Sequence, residues 1–164
     1  MAHAHWTMSG HHLSLPLNER VAGGRGVWLI GRLIIGGLFL MSGSQKLMGL
    51  DHFAASLVRN GIPDTYAAVL APIAAFAETF GGLCIAIGLF TSAASLLMIA
   101  FTVIAAFISH RFWEAPAEMM AIQQAHFMKN MMIAGAFCLL YVAGGGPCSI
   151  DRWWRDRSEA LYQD

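Results

Sequence analysis

Residues 64–111 read DTYAAVLAPIAAFAETFGGLCIAIGLFTSAASLLMIAFTVIAAFISHR, and the architecture follows from them. Between Asp64 and Arg111 the only formally charged residue is Glu78. A helix needs about 20 apolar residues to cross a bilayer, and this stretch holds enough for two. It is continuous and rich in Ala, Leu, Ile and Gly, without the alternating polarity of a barrel strand. The sequence therefore predicts two consecutive membrane-spanning helices, at about residues 67–90 and 92–109.

Two further charge-poor runs lie on either side of this stretch. Between Arg32 and Asp51 the only charge is Lys46, and between Lys129 and Asp151 there is none. These runs predict spans at about residues 28–50 and 127–143. The first apolar stretch is longer than that of a typical signal peptide, and residues 42–44, which could serve as a cleavage site, lead into Lys46 within the same helical pattern, which argues against removal of this span. The predicted fold class is an all-α membrane protein, a four-transmembrane-helix bundle.

The composition of the chain agrees with this fold class and excludes other functions. Of 164 residues, 57% are hydrophobic and 12% are charged, about half the usual ~25%. Ten basic residues balance ten acidic ones, so no net charge attracts nucleic acid. The three cysteines have no CxxC spacing, and none of the seven histidines lies near a span centre. No haem, zinc or covalent cofactor is therefore predicted.

The segments outside the spans complete the predicted organisation. Residues 1–26 form a polar, His-rich tail, residues 27–145 the membrane domain, and residues 51–66 a loop with a turn at Gly61–Asp64. Residues 146–164 form a C-terminal segment whose apolar residues recur at helical spacing, which predicts a short interfacial amphipathic helix. More arginines lie before the first span and after the fourth span than in the loops at the opposite end of the spans. Because basic residues favour the cytoplasmic side, both termini are expected in the cytoplasm.

Glu78 is the residue whose position is energetically most costly. It lies roughly 11 residues into its predicted helix, about 16 Å deep and near the bilayer midplane. An ionised carboxylate there must be paired, protonated or in contact with water. Glu78 therefore has two interpretations. It belongs to a functional site, or it forms a structural ion pair or a neutral hydrogen bond between helices.

Lys46 is the predicted partner of Glu78. Ala71, Ala75 and Gly82 place small residues on the helix face that carries the carboxylate, and Gly36 and Gly43 do the same on the first helix, next to Lys46. Such faces allow two helices to pack closely. Lys46 lies about 6 Å inside the outer boundary by the same helical rise, so it can reach inward to Glu78 or extend outward to water.

Other polar residues are expected in the outer half of the bundle, above Glu78. His110 follows the third span and Lys129 begins the fourth, while Ser95, Thr102 and Ser109 share one face of the third helix. Together with Lys46 they predict a polar vestibule. His110 has two interpretations, an interfacial histidine or a proton-handling group. Hydroxyl groups in membrane helices usually bond to their own backbone, so they carry less weight than the charges.

Two groups of residues resemble metal ligands, but the sequence predicts no metal site at either. The tail histidines are only a compositional indication of metal binding. The methionines around His126 could hold Cu(I), but such methionines more often fill apolar gaps. Those methionines are Met119, Met120, Met128, Met131 and Met132.

Several motifs occur in order along the chain: GRLIIGGLFLMSGSQKL at residues 31–47, AETFGG at 77–82, GLFT at 88–91, HRFW at 110–113, KN at 129–130 and SIDR at 149–152. In this order, residues 28–153 resemble the DoxX family of small bacterial four-helix membrane proteins. The resemblance implies a multi-pass protein of the bacterial cytoplasmic (inner) membrane. It also implies an association with quinone-linked or thiol-redox oxidoreductases. The positions that match recurrent polar positions of the family are Lys46, Glu78, His110, Lys129 and Asp151.

Two hypotheses for function follow. In the first, the chain is the membrane subunit of an oxidoreductase, with Glu78 and Lys46 in contact with a quinone and a partner protein as the electron donor. In the second, the chain is a non-catalytic structural or assembly subunit, with its small-residue faces docked against other helices. A solute or ion pathway is a third and weaker interpretation, because the spans show no broken helices or inverted repeats.

Overall fold

The computed structural model describes residues 24–161, and over that range all regular secondary structure is helical. The His-rich tail predicted at residues 1–26 lies almost entirely outside the described residues. The helices are α1 (Gly24–Met48), α2 (Leu50–Arg59), α3 (Asp64–Ile87), α4 (Thr91–Ser109), α5 (Ala117–Ala143) and α6 (Ile150–Leu161).

Four of these helices, α1, α3, α4 and α5, are long and apolar enough to cross a membrane. Each presents large apolar side chains to the outside of the bundle, and more than half of the surface of Leu38, Phe76, Phe107 and Leu139 is exposed. A water-soluble protein rarely exposes apolar surface so extensively, so the surroundings of this bundle are lipid. The predicted fold class, including the short helix near the C-terminus, is confirmed.

The packing of α1 against α3 is the closest in the bundle, and glycine makes it possible. A Cβ atom added at Gly36 would lie 2.7 Å from the backbone oxygen of Gly82 and 2.8 Å from the Cα of Ala86. One added at Gly43 would lie 2.5 Å from the backbone nitrogen of Thr79. The small faces predicted on these two helices therefore pack against each other inside the chain.

The remaining helices are arranged around α3. The helix α4 packs on α3 and on α5, and α2 folds back onto the first half of α3, while α1 and α5 make little backbone contact. We call the two ends of the bundle the α2 end and the α6 end, after the short helix at each. The six buried members of the main core cluster lie in the α6 half: Cys84, Ile85, Ala94, Met98, Phe137 and Leu140.

Arg32 and Asp151 connect the C-terminal segment to the α6 end. Arg32 is buried, and its two amino groups donate hydrogen bonds of 2.5 Å to the carbonyl oxygens of Gly145 and Cys148. Asp151 accepts hydrogen bonds from the backbone nitrogens of Phe90 and Thr91, at 2.7 and 2.8 Å, and so caps α4. These contacts fix the chain between α5 and α6 onto the bundle.

Gly88 shows why glycine is required at this end. It ends α3 with φ of 72°, a left-handed conformation that favours glycine, and the backbone nitrogen of Leu89 closes the last turn on the carbonyl of Cys84 at 2.9 Å. A Cβ atom at Gly88 would also lie 2.5 Å from the Cβ of Ser149. The residue is therefore restricted by both its conformation and its neighbours.

The structure corrects the segment predicted as a loop at residues 51–66. Most of it is the helix α2, because Phe53, Ala54 and Leu57 form an apolar face that packs on Ala67 and Ala71 of α3. The charged residues of this segment lie on the other face of this amphipathic helix.

The predicted span limits also differ from the helix limits. The helix α5 begins at Ala117 rather than at residue 127, and α1 and α3 begin and end a few residues earlier than predicted. The sequence marks where apolar residues begin, whereas a helix satisfies its own backbone hydrogen bonds and can extend beyond that point.

Candidate functional site

Lys46 and Glu78 form an ion pair between α1 and α3. The ammonium group of Lys46 donates to a carboxylate oxygen of Glu78. The Glu78 side chain is 3% exposed, whereas that of Lys46 is 31% exposed, so the carboxylate is sealed in the bundle and the lysine reaches it from the edge. The inward orientation of Lys46 is the one that the glycine faces favoured over extension toward water.

Two further groups hold Lys46 in this orientation, and neither was predicted. Its ammonium group donates to the Ser42 hydroxyl at 3.3 Å and lies 5.4 Å from the centre of the Phe53 ring. A cation in this position is attracted by the negative face of the ring. Ser42 lies four residues before Lys46, a spacing that puts both side chains on one face of a helix, so the sequence did contain a signal for this contact.

A cavity of about 610 Å³ lies beside this ion pair, in the α2 half of the bundle. Phe39, Phe101 and Ile133 line the cavity and also pack against the main core cluster, so they form its floor. The cavity is therefore closed toward the α6 end by the core. A volume of this size is typical of small-molecule sites in proteins.

The cavity wall is mostly apolar and includes a small set of polar side chains. It receives residues from α1, α2, α3, α4 and α5. Sites of this kind bind the apolar body of a ligand by burial and select its polar groups by a few hydrogen bonds. The polar side chains that line the cavity are those of Ser42, Lys46, Ser56, Glu78, Thr102, Ser109, His110, Lys129 and Asn130.

The four candidate site residues predicted from the sequence all line this one cavity. His110 lies at the end of α4, where its Nδ1 is 2.9 Å from the side-chain oxygen of Gln123 and its ring stacks on that of His126 at 5.1 Å. Lys129 is exposed and, among residues 24–161, takes part in none of the ion pairs. Its positive charge is therefore available at the wall of the cavity.

The hydroxyl groups that share one face of α4 do not all line the cavity. Thr102 and Ser109 line the cavity, but Ser95 does not, since its hydroxyl is buried and donates to the backbone oxygen of Thr91 at 2.7 Å. Asp151, which matched the family pattern, lies at the α6 end and not at the cavity. The family's polar positions therefore belong to two separate groups in this fold.

Fold and site together define a small polytopic α-helical membrane protein with an ion pair between two helices and an adjoining apolar cavity. The chain belongs to the DoxX family: the family's model, described as DoxX, matches residues 27–111. This range includes Lys46, Glu78, Thr102 and His110.

Two relatives from Escherichia coli (strain K12) extend the match beyond the range of the family model. Inner membrane protein YphA is 33% identical over 124 residues, which cover 76% of this chain and 87% of the relative. Inner membrane protein YqjF is 33% identical over 125 residues, which cover 76% of this chain and 88% of the relative. No solved structure matches significantly.

Proposed function

We propose that this protein is a DoxX-type subunit of the bacterial inner membrane that binds a quinone in the cavity beside Lys46 and Glu78. The observation that carries the proposal is the ion pair at the wall of a cavity that is otherwise largely apolar. A buried intramembrane pair of this kind is costly in lipid and is a functional candidate for that reason.

The residues present fit a quinone. Its ring and isoprenoid tail are apolar, as are most side chains of the cavity, and its two ring oxygens require hydrogen-bonding partners. When bound, a quinone supplies a carrier that takes up two electrons and two protons to become a quinol. We assign delivery of the electrons to a partner redox protein, in either a quinone-linked or a thiol-redox system.

The side chains of the site have distinct roles in this proposal. Lys46 donates a hydrogen bond to a ring oxygen, and Glu78 holds Lys46 in place and can accept or release a proton. His110 lies between the ion pair and the α2 end, where it can exchange protons with water. Lys129 and Asn130 provide further donors from α5.

The proposed orientation places both termini in the cytoplasm and the α2 end toward the periplasm. The arginine distribution supports it, since arginines are more numerous near the α6 end than at the α2 end. The inner membrane location is supported by the two relatives, both of which are inner membrane proteins.

The proposal is tested by quinone binding to the purified chain in lipid nanodiscs. Titration with a short-chain ubiquinone, followed by calorimetry, should give saturable binding that empty nanodiscs lack. The variant Glu78→Gln should bind about tenfold more weakly or worse, because a hydrogen bond to a charged group contributes about 1.5–3 kcal/mol and 1.4 kcal/mol is a factor of ten.

Glu114→Gln is the matched control. This glutamate lies outside the cavity, its side chain is 54% exposed, and it pairs with Arg111 at 2.9 Å. Its removal should leave quinone affinity unchanged. If the wild-type protein binds no quinone and is instead recovered in a stable complex with other membrane proteins, the structural or assembly alternative replaces the proposal.

The structure removes one argument for that alternative. Its docking surfaces were the small-residue faces of the first two spans, and these faces are used in the contact between α1 and α3.

A further inference from the structure

Thr102 on α4 has a buried hydroxyl group without a partner. The residue is 2% exposed, it lines the cavity, and its Oγ1 makes no hydrogen bond. It is the only hydroxyl group in this condition among residues 24–161. A buried polar group without a hydrogen bond destabilises the fold, so its presence calls for an explanation.

Other hydroxyl groups in the same bundle show what Thr102 could have done. Ser44, Thr79 and Ser95 each donate to the backbone oxygen four residues earlier, at 2.7 Å in every case. This local bond is the usual solution for a hydroxyl group in a helix. Thr102 does not adopt it, although the residue borders the cavity.

Thr102 lies at the same depth as the ion pair. The side chain of Met98 on α4 lies against Gly81 on α3, which aligns these two antiparallel helices. Toward the α2 end, Glu78 is three residues from Gly81 and Thr102 is four residues from Met98. At about 1.5 Å per residue, Glu78 lies about 4.5 Å and Thr102 about 6 Å from this contact, so the two positions are at similar depth.

Thr102 and Lys46 reach the cavity from different walls. The helix α3 packs against both α1 and α4, so α1 carries Lys46 and α4 carries Thr102 on the two sides of α3. The cavity therefore has polar side chains from two walls at similar depth.

We infer that Thr102 binds the second oxygen of a ring ligand whose first oxygen accepts a hydrogen bond from Lys46. This inference rests on the proposed function and names the ligand more closely, as a ring with oxygens on two edges. A hydroxyl group can donate to a carbonyl oxygen and accept from a hydroxyl group. Thr102 therefore hydrogen-bonds to both the quinone and the quinol form. It acts as a specificity-determining residue.

The inference is tested with Thr102→Val, which keeps the shape of the side chain and removes the hydroxyl group. Without ligand, this variant should melt at a higher temperature than the wild type, because the unpaired group is gone. It should bind a short-chain ubiquinol roughly three- to tenfold more weakly, the effect of one neutral hydrogen bond. Thr102→Ser should keep most of the affinity.

A phenol with the same ring but only one of the two oxygens distinguishes a loss of specificity from general damage to the site. The wild type should prefer the quinol over this phenol, and Thr102→Val should lose that preference. Ser95→Ala is the control on the same helix, because its hydroxyl group is bonded to backbone and lies outside the cavity. It should keep the preference.

The outcomes separate this inference from the proposed function. If the wild type binds neither quinone nor quinol, the proposed function fails and the inference fails with it. If the wild type binds and Thr102→Val binds with the same affinity and preference, only the inference is wrong. A lower melting temperature of Thr102→Val without ligand would also overturn it, since Thr102 would then be a packing residue.

Discussion

The α6 end and the α2 end each bury one charged side chain, but they surround it differently. At the α6 end, Arg32 is 2% exposed and donates to two backbone carbonyl oxygens in the segment that follows α5. At the α2 end, Glu78 is equally buried, but its partner is the half-exposed side chain of Lys46 and its neighbour is a cavity.

This difference indicates that Arg32 stabilises the fold, whereas the ion pair at Glu78 can contact a ligand. The amino groups of Arg32 donate to the carbonyl oxygens of Gly145 and Cys148. These oxygens would otherwise lack partners, because they lie in a segment without helical hydrogen bonds. The pair of Lys46 and Glu78 satisfies no backbone group. Its removal should therefore affect binding more than folding.

The largest effect on stability is expected at Arg32. Arg32→Met should lower the free energy of unfolding by about 3 kcal/mol, since two hydrogen bonds from a charged group are lost and the buried carbonyl of Gly145 is left unpaired. Denaturant unfolding in mixed micelles, followed by circular dichroism, measures this change. Arg155→Met is the control, because Arg155 is exposed on α6. Equal stability of the two variants would show that Arg32 does not hold the C-terminal segment.

A smaller loss of stability is expected where α1 crosses α3. Gly36→Ala should cost about 1–3 kcal/mol, because the added Cβ meets backbone atoms of Gly82 and Ala86 that cannot move aside. Gly37→Ala is the matched control on the next residue, where a Cβ has no neighbour within 4 Å. It should be neutral or stabilising by up to about 1 kcal/mol, since alanine favours the helix. Similar losses in both variants would contradict the close crossing.

Much of the fold follows directly from the distribution of charge in the sequence. Three charge-poor runs, one of them long enough for two spans, predict the four long helices, and the small residues beside Glu78 and Lys46 predict that α1 and α3 pack closely. These signals are local, since each is carried by residues within one helix. The helix α2 was missed because the turn at Gly61–Asp64 led the whole segment to be interpreted as a loop, although Phe53 and Leu57 show helical spacing.

Other parts of the site depend on contacts that no local pattern reveals. Arg32 was interpreted as a marker of membrane orientation, whereas its carbonyl partners lie more than 100 residues away in the chain. The hydroxyl groups of α4 were predicted to belong to a polar vestibule, but Ser95 bonds to its own backbone outside the cavity, whereas Thr102 borders the cavity and has no partner. That difference arises from the cavity next to Thr102, and a cavity is a property of the packed bundle.

The smallest effect on stability is expected when both members of the ion pair are replaced together. Lys46→Met with Glu78→Met should change the free energy of unfolding by less than about 1 kcal/mol, or raise it, because apolar residues of similar size can replace a buried ion pair without loss. The same double variant should bind no quinone in nanodiscs. Denaturant unfolding and titration of one preparation measure both quantities. A loss of stability as large as that of Arg32→Met would instead make the pair a structural element, because the two ends of the bundle would then bury charge for the same purpose.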